Sequence, residues 1–176
     1  MSLYKEIVTK AVIGKGKKYF KDNYSIELDN VPSTILGCWV INHKFKGYKK
    51  DNKIGVDGNY DVNIWYSYDN DTKTAVVNKN ISYNELFNVK LKENTELNSN
   101  TDIIIRSLKQ PNCIDINSDN NKIVFDIEKE LGVEVVGDTK VKIAIEEDEE
   151  PWDILDEELN DNDINDINNV SDDFIK

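Results

Sequence analysis

The chain has 176 residues, 39% of them hydrophobic and 32% charged, with a formal net charge of −12. That length suits one domain with a single buried core, and no apolar run approaches the roughly 18 residues of a membrane-spanning helix. The negative balance argues against nucleic acid as the main partner, because phosphate binding needs clustered excess positive charge. At the N-terminus, Leu3, Ile7, Val8, Ala11 and Val12 fit helical spacing, yet β-branching together with Gly14 and Gly16 favours a strand from about Glu6 to Phe20. Residues 35–45 alternate Ile35, Gly37, Trp39, Ile41, His43 and Phe45 in one phase. Over 54–68 the alternation is long: Ile54, Val56, Gly58, Tyr60, Val62, Ile64, Tyr66 and Tyr68 share one face, and Gly55, Asp57, Asn59, Asp61, Asn63, Trp65 and Ser67 share the other. Period two with one dry side is the signature of a half-buried strand. Asp69-Asn70-Asp71 then supplies short side chains that tolerate the left-handed region, and Lys73 to Ile81 runs back, so 54–81 is a hairpin.

Leu91 to Thr101 reads as polar loop, and Ile103-Ile104-Ile105 with Leu108 as strand or short helix. Asp119-Asn120-Asn121 is a tight turn before Ile123-Val124-Phe125-Asp126-Ile127, a short β-branched strand. Val133 to Ile145 keeps Val135, Gly137, Val141, Ile143 and Ile145 in phase, with Gly137-Asp138 as a turn or bulge. Short strands, polar turns and no alternating helices predict an all-β fold: an antiparallel β-sandwich or barrel-like domain over residues 1–145.

Charge divides the chain more sharply than hydropathy does. Residues 146–176 hold fourteen carboxylates and one basic residue, Lys176, for a net of −13, which leaves 1–145 at +1. Glu146-Glu147-Asp148-Glu149-Glu150-Pro151 neither pairs in a sheet nor starts compactly and reads as a tether. Beyond it, Trp152, Leu155 and Leu159 sit at helical spacing among acidic residues. They define either a solvated acidic tail or a short helix over 152–159 that folds on a partner. Asn160 to Lys176 is low-complexity Asp/Asn/Ile and is expected to be disordered alone.

Chemistry-bearing motifs are scarce. The one histidine, His43, lies in phase with apolar strand residues and reads as a core or edge residue. Cys38 and Cys113 are too few for a disulfide framework and read as free structural thiols. The opening Met1-Ser2-Leu3-Tyr4-Lys5-Glu6 has no apolar segment, so no secretory signal is expected. Gly14-Lys15-Gly16-Lys17-Lys18 lacks the spacing and the Ser/Thr of a phosphate loop. Asp161, Asp163, Asn165 and Asp172 take positions 1, 3, 5 and 12 of a calcium loop, but Asp166 stands where glycine is needed and no bidentate Glu closes it. No metal, cofactor or catalytic residue is expected. Two basic stretches, Lys15/Lys17/Lys18/Lys21 and Lys44/Lys46/Lys49/Lys50/Lys53, are either solvated faces or receivers of an acidic tail from a neighbouring copy or partner. The face bearing Trp65, if outward, adds an aromatic anchor.

The run Ser33-Thr34-Ile35-Leu36-Gly37-Cys38-Trp39-Val40-Ile41-Asn42-His43-Lys44, with Gly58-Asn59-Tyr60-Asp61-Val62-Asn63-Ile64-Trp65-Tyr66-Ser67-Tyr68, Gln110-Pro111-Asn112-Cys113 and Val135-Val136-Gly137-Asp138-Thr139-Lys140-Val141, resembles the outer spore coat morphogenetic (CotE) family of spore-forming Firmicutes. The likeness runs from Tyr4 to about Ile145, and the acidic, Trp-bearing tail agrees in composition. The resemblance implies a non-enzymatic scaffold made in the mother-cell cytoplasm and carried into the spore coat. It implies self-association, positioning by the basement-layer coat ATPase (SpoIVA-like), and recruitment of outer coat proteins through the acidic tail. The partner-binding candidates are Trp65, Lys15, Lys17, Lys18, Lys49, Lys50, Trp152, Leu155 and Leu159. The competing reading is a carbohydrate- or ligand-binding β-sandwich with a calcium-responsive tail, in which Trp39 and Trp65 on Asn-rich strands stack sugars.

Overall fold

The computed structural model describes residues 3–92 and 95–145. The tail features singled out above, namely the 146–151 tether, Trp152, Leu155, Leu159 and the Asp161–Asp172 spacing, lie outside them. Glu6–Lys142 forms one compact unit. Six strands account for nearly all of the described chain: β1 (Leu3–Glu27), β2 (Pro32–Lys50), β3 (Lys53–Tyr68), β4 (Lys73–Phe87), β5 (Asp102–Asp119) and β6 (Lys122–Ile145). They form two three-stranded sheets, ordered β1-β6-β5 and β2-β3-β4. The fold is all-β, and none of the described residues forms a helix long and apolar enough to cross a membrane.

The turns follow from their residues. Asp51 and Asn52 take φ of 47° and 62°, the paired left-handed conformation of a tight hairpin, and join β2 to β3. Asp69, Asn70 and Asp71 are also left-handed, at 51°, 55° and 63°, and Asn120 at 52° turns β5 into β6. Short polar side chains tolerate this region where β-branched ones do not.

The period-two pattern of β3 holds along its length. Ile54, Val56, Tyr60, Val62 and Ile64 are fully buried. They face Ile123, Phe125, Ile127, Leu131, Val133 and Val135 of β6, which are buried equally. Each such aliphatic or aromatic side chain contributes about 1.5–3 kcal/mol on burial, so the two central strands carry the sandwich.

Three expectations are revised. The segments 123–127 and 133–145 are one strand, because the inward phase continues unbroken through Lys129. Gly137 is not a turn: it lies within β6, where a Cβ would sit 2.7 Å from Ile13 Cδ1, so the strand packs closely there. The single phase read over 35–45 is broken by two bulges, between Ile35 and Gly37 and between Ile41 and Lys44, the second with Asn42 at φ 56°. Each extra residue flips the strand, so Ile35 packs inward, then Cys38 and Val40, then His43 and Phe45, while Trp39 and Ile41 turn out. The segment 103–108, open between strand and helix, is strand, and β1 outruns its predicted span at both ends.

The outward side of β6 bears a row of carboxylates flanked by bases from both neighbours. Glu134 meets Lys15 of β1 at 3.2 Å and Arg106 of β5 at 3.3 Å, and Glu130 meets Lys17 at 3.5 Å. Glu128 accepts from Tyr19 Oη at 2.6 Å and pairs with Lys109, while Asp126 meets Lys21 at 3.4 Å and Asn23 at 2.6 Å. Rising β1 numbers meet falling β6 numbers, the order of an antiparallel pair. The open edges of the two sheets also face each other. Along β2 and β5, Lys49 Nζ donates to Thr101 O, Gly47 lies against Ile105, and His43 contacts Gln110 at 3.0 Å. Along β1 and β4, Phe20 meets Phe87 edge-on at 6.0 Å, Lys79 Nζ donates to Ser25 O at 2.8 Å, and Gly14 bridges Leu91.

The ionisation of these groups sets a pH profile. Hydrogen bonds hold Glu128 (from Lys109, then Tyr19), Glu134 (from Lys15) and Asp126 (from Asn23) below the usual carboxylate range. Burial holds His43 below the ordinary imidazole value, aided by the charge of Lys129 and opposed by Gln110. In both cases the unfolded chain takes up protons first as pH falls, so stability is full above the unfolded values and declines below them. Thermal melts should give a flat Tm above about pH 7, a first decline below about 6.5 that is absent in His43→Asn, and a steeper one below about 4. An unchanged Tm at pH 3 would refute the carboxylate contribution.

Candidate interaction surface

The outer face of the β2-β3-β4 sheet carries the most distinctive exposed chemistry. Trp65 on β3 stands between Gly37 of β2 and Val76 of β4. Trp39 comes two pairs along, opposite Asn63. The two indoles meet edge to face, with centroids 6.4 Å apart at 85°. Trp39 reaches this position because Gly37 has no side chain: a Cβ there would lie 2.5 Å from the Trp39 ring. Despite the contact, Trp39 is 53% and Trp65 44% exposed, and Leu36, Ile41 and Val76 are similarly open. Five exposed large apolar residues from three strands form a patch of the kind that marks interaction surfaces.

Next to the patch, the same face becomes a polar ladder. Asn78 donates to Asn63, Asn80 to Asp61 at 2.7 Å, and Asn84 to Asp57, while Asn42 donates to Asp61 at 2.8 Å from the β2 bulge. The amides and carboxylates satisfy one another across β3 and β4, so the face is preorganised by cross-strand pairs. The two amide donors hold the Asp61 carboxyl below its usual range.

The two basic stretches have different fates. Lys15, Lys17 and Lys21 pair with β6 carboxylates, and Lys18 lies over the Phe20 ring at 5.1 Å. Lys49 is spent on the carbonyls of Asn98 and Thr101. Among the described residues, Lys44, Lys46, Lys50 and Lys53 have no carboxylate within ion-pair distance. Trp65, Lys49 and Lys50 of the candidate residues therefore belong to the β2-β3-β4 sheet, with Lys49 and Lys50 at its β2–β3 turn, whereas Lys15, Lys17 and Lys18 lie on β1.

Sequence reading missed the polar group between the sheets. Lys129 is fully buried, with Nζ 3.0 Å from Asp22 and 3.4 Å from Glu85, and it also lies over the rings of Phe20 at 4.7 Å and Tyr83 at 4.5 Å. Tyr83 Oη contacts His43 Nε2 at 2.7 Å, and burial pushes the Tyr83 phenol up to about 12. The signal was the phase: Lys129 occupies an inward position between Ile127 and Leu131, hidden because Glu128-Lys129-Glu130 reads as a solvated charge run. Tyr60 is also fully buried, its hydroxyl near Tyr24 but without hydrogen-bond geometry to any described group.

Two substitutions separate satisfied from unsatisfied polarity here. Lys129→Ala strands Asp22 and Glu85 and should cost about 3–5 kcal/mol in urea unfolding. Tyr60→Phe removes a group that makes no bond and should leave stability unchanged or slightly raised. Equal losses from both would refute the assignment.

Compared with known proteins, the chain matches the family model described as outer spore coat protein E (CotE) over residues 3–176. The match therefore includes the acidic tail as well as the strands. No curated protein and no solved structure matches the chain.

Proposed function

Because the chain belongs to the CotE family of outer spore coat proteins, we propose that it is a non-enzymatic morphogenetic scaffold that self-associates and directs assembly of the outer coat. The observation that carries this reading is the exposed Trp39–Trp65 pair with Leu36, Ile41 and Val76 on a preorganised sheet face. Edge-to-edge strand addition, the usual route by which β domains polymerise, is disfavoured because the sheet edges face each other and are spanned by side chains. Face-to-face contact through the aromatic patch remains, with indoles as buried anchors.

The acidic tail supplies the second contact. A segment of net −13 is drawn to unpaired bases, and Lys44, Lys46, Lys50 and Lys53 offer them near one turn of the sheet. The same tail, with Trp152, Leu155 and Leu159 as anchors, recruits outer coat proteins, and the basement-layer ATPase positions the assembly on the forespore. The Asn/Asp ladder beside two indoles also suits carbohydrate, so the ligand-binding reading keeps a specific foothold.

Light scattering across concentration separates the two. Full-length protein is expected to form large assemblies, and Trp39→Ala/Trp65→Ala should shift their midpoint at least tenfold in concentration while leaving Tm nearly unchanged. Reversing Lys44, Lys46, Lys50 and Lys53 to Glu should remove the salt dependence of assembly. A strict monomer that changes its tryptophan emission on adding oligosaccharide would overturn the scaffold reading.

A further inference from the structure

The two cysteines are 75 positions apart in sequence and sit on different sheets, Cys38 on β2 and Cys113 on β5. The fold brings them together. β2 and β5 line the same seam in antiparallel order: Lys49 meets Thr101, Gly47 meets Ile105 and His43 meets Gln110. Continued along β2, this order carries Cys38 to Cys113, and both side chains pack against one apolar cluster with Ile35, Val40 and Ile116. Both cysteines are free thiols and half-buried.

The thiols are not equivalent. The neighbouring Cys113 thiol, with burial, pushes the ionisation of Cys38 up. The same contact lowers that of Cys113, against the effects of burial and of the charges on Asp115 and Asp126. The Cys113 thiol also donates to the Asp115 carbonyl oxygen, 3.6 Å away. Thiolate is the reactive form, and whichever sulfur is attacked first has the other beside it to resolve the adduct.

We propose that Cys38 and Cys113 form a redox-controlled staple, an intramolecular disulfide that closes the β2–β5 seam when the protein meets a low-molecular-weight disulfide. One of the two cysteines attacks, as thiolate, one sulfur of the small disulfide, whose S–S bond breaks and releases one thiolate. The other cysteine loses its proton and attacks the protein sulfur of the mixed disulfide, displacing the second small thiolate. Two cysteine thiols are oxidised by two electrons, one small disulfide is reduced to two thiols, and the two protons pass to them. The product links two strands that no backbone ladder joins, so it constrains the unfolded chain across a long loop.

The experiment treats full-length protein with oxidised glutathione, quenches with acid, and alkylates under denaturing conditions. The expected product has no alkylatable thiol, runs as a monomer on a non-reducing gel, and yields a proteolytic peptide joining Cys38 to Cys113. Its Tm should rise by about 10 °C and return on reduction. Cys38→Ser should instead stop at the glutathione adduct on Cys113, with no rise in Tm. Two alkylated thiols in the oxidised wild type, or a disulfide joining two chains, would overturn the proposal without any variant having to fold.

Discussion

Everything in this fold depends on two rows of side chains that face each other: the inward residues of β3 and those of β6. Both strands are central in their sheets, so each is flanked by neighbours and covered by the opposite sheet. Their inward positions are the most fully buried in the molecule. Packing of this kind is non-directional; what makes it specific is that both rows keep strict period two over many residues. A one-residue slip in either strand would carry its whole apolar set to the surface.

Lys129 interrupts one of those rows and divides the interior into two apolar clusters, one around Tyr60 and Phe125 and the other around Ile13 and Leu131. A buried ammonium is tolerable only with partners, and Asp22 and Glu85 reach it from β1 and β4, the two strands of the opposite seam. The charge therefore does what an aliphatic residue in its place does not: it ties three strands from both sheets at one depth. Beside it, Tyr83 under the Lys129 ammonium passes the link to His43 and Gln110, joining β4, β2 and β5 by uncharged contacts.

The outer face of β2-β3-β4 is held by its own Asn/Asp ladder and keeps its two indoles open. Its counterpart, the outer face of β1-β6-β5, carries ion pairs between β6 carboxylates and the bases of β1 and β5, with Ile104 and Leu108 exposed beside them. The asymmetry turns a chain whose strand segment is nearly neutral into a molecule with one ion-paired face and one face carrying open indoles and, toward its β2–β3 end, lysines without an ion pair among the described residues. For a coat protein, a surface that is ordered and apolar is the natural place to meet a neighbour.

Local properties were legible in the amino-acid sequence alone. The alternation of residues 54–68, the left-handed turns at Asp69-Asn70-Asp71 and Asn120, the all-β class and the confinement of negative charge beyond residue 145 each arise from residues close together in the chain. The outward exposure of Trp65 follows from the same alternation. The fate of the basic residues did not follow from any local pattern: Lys15 and Lys17 meet carboxylates more than a hundred positions away, and which lysines stay unpaired depends on strand order. The same holds for Trp39, whose side is set by a bulge that pairing with β3 defines, and for Lys129, whose burial is settled by the phase of a strand that its charged neighbours disguise. Cys38 and Cys113 meet for the same reason. Periodicity and turn chemistry are encoded residue by residue, whereas contacts between strands distant in sequence are decided only when two apolar rows find their register and close the sheets on each other.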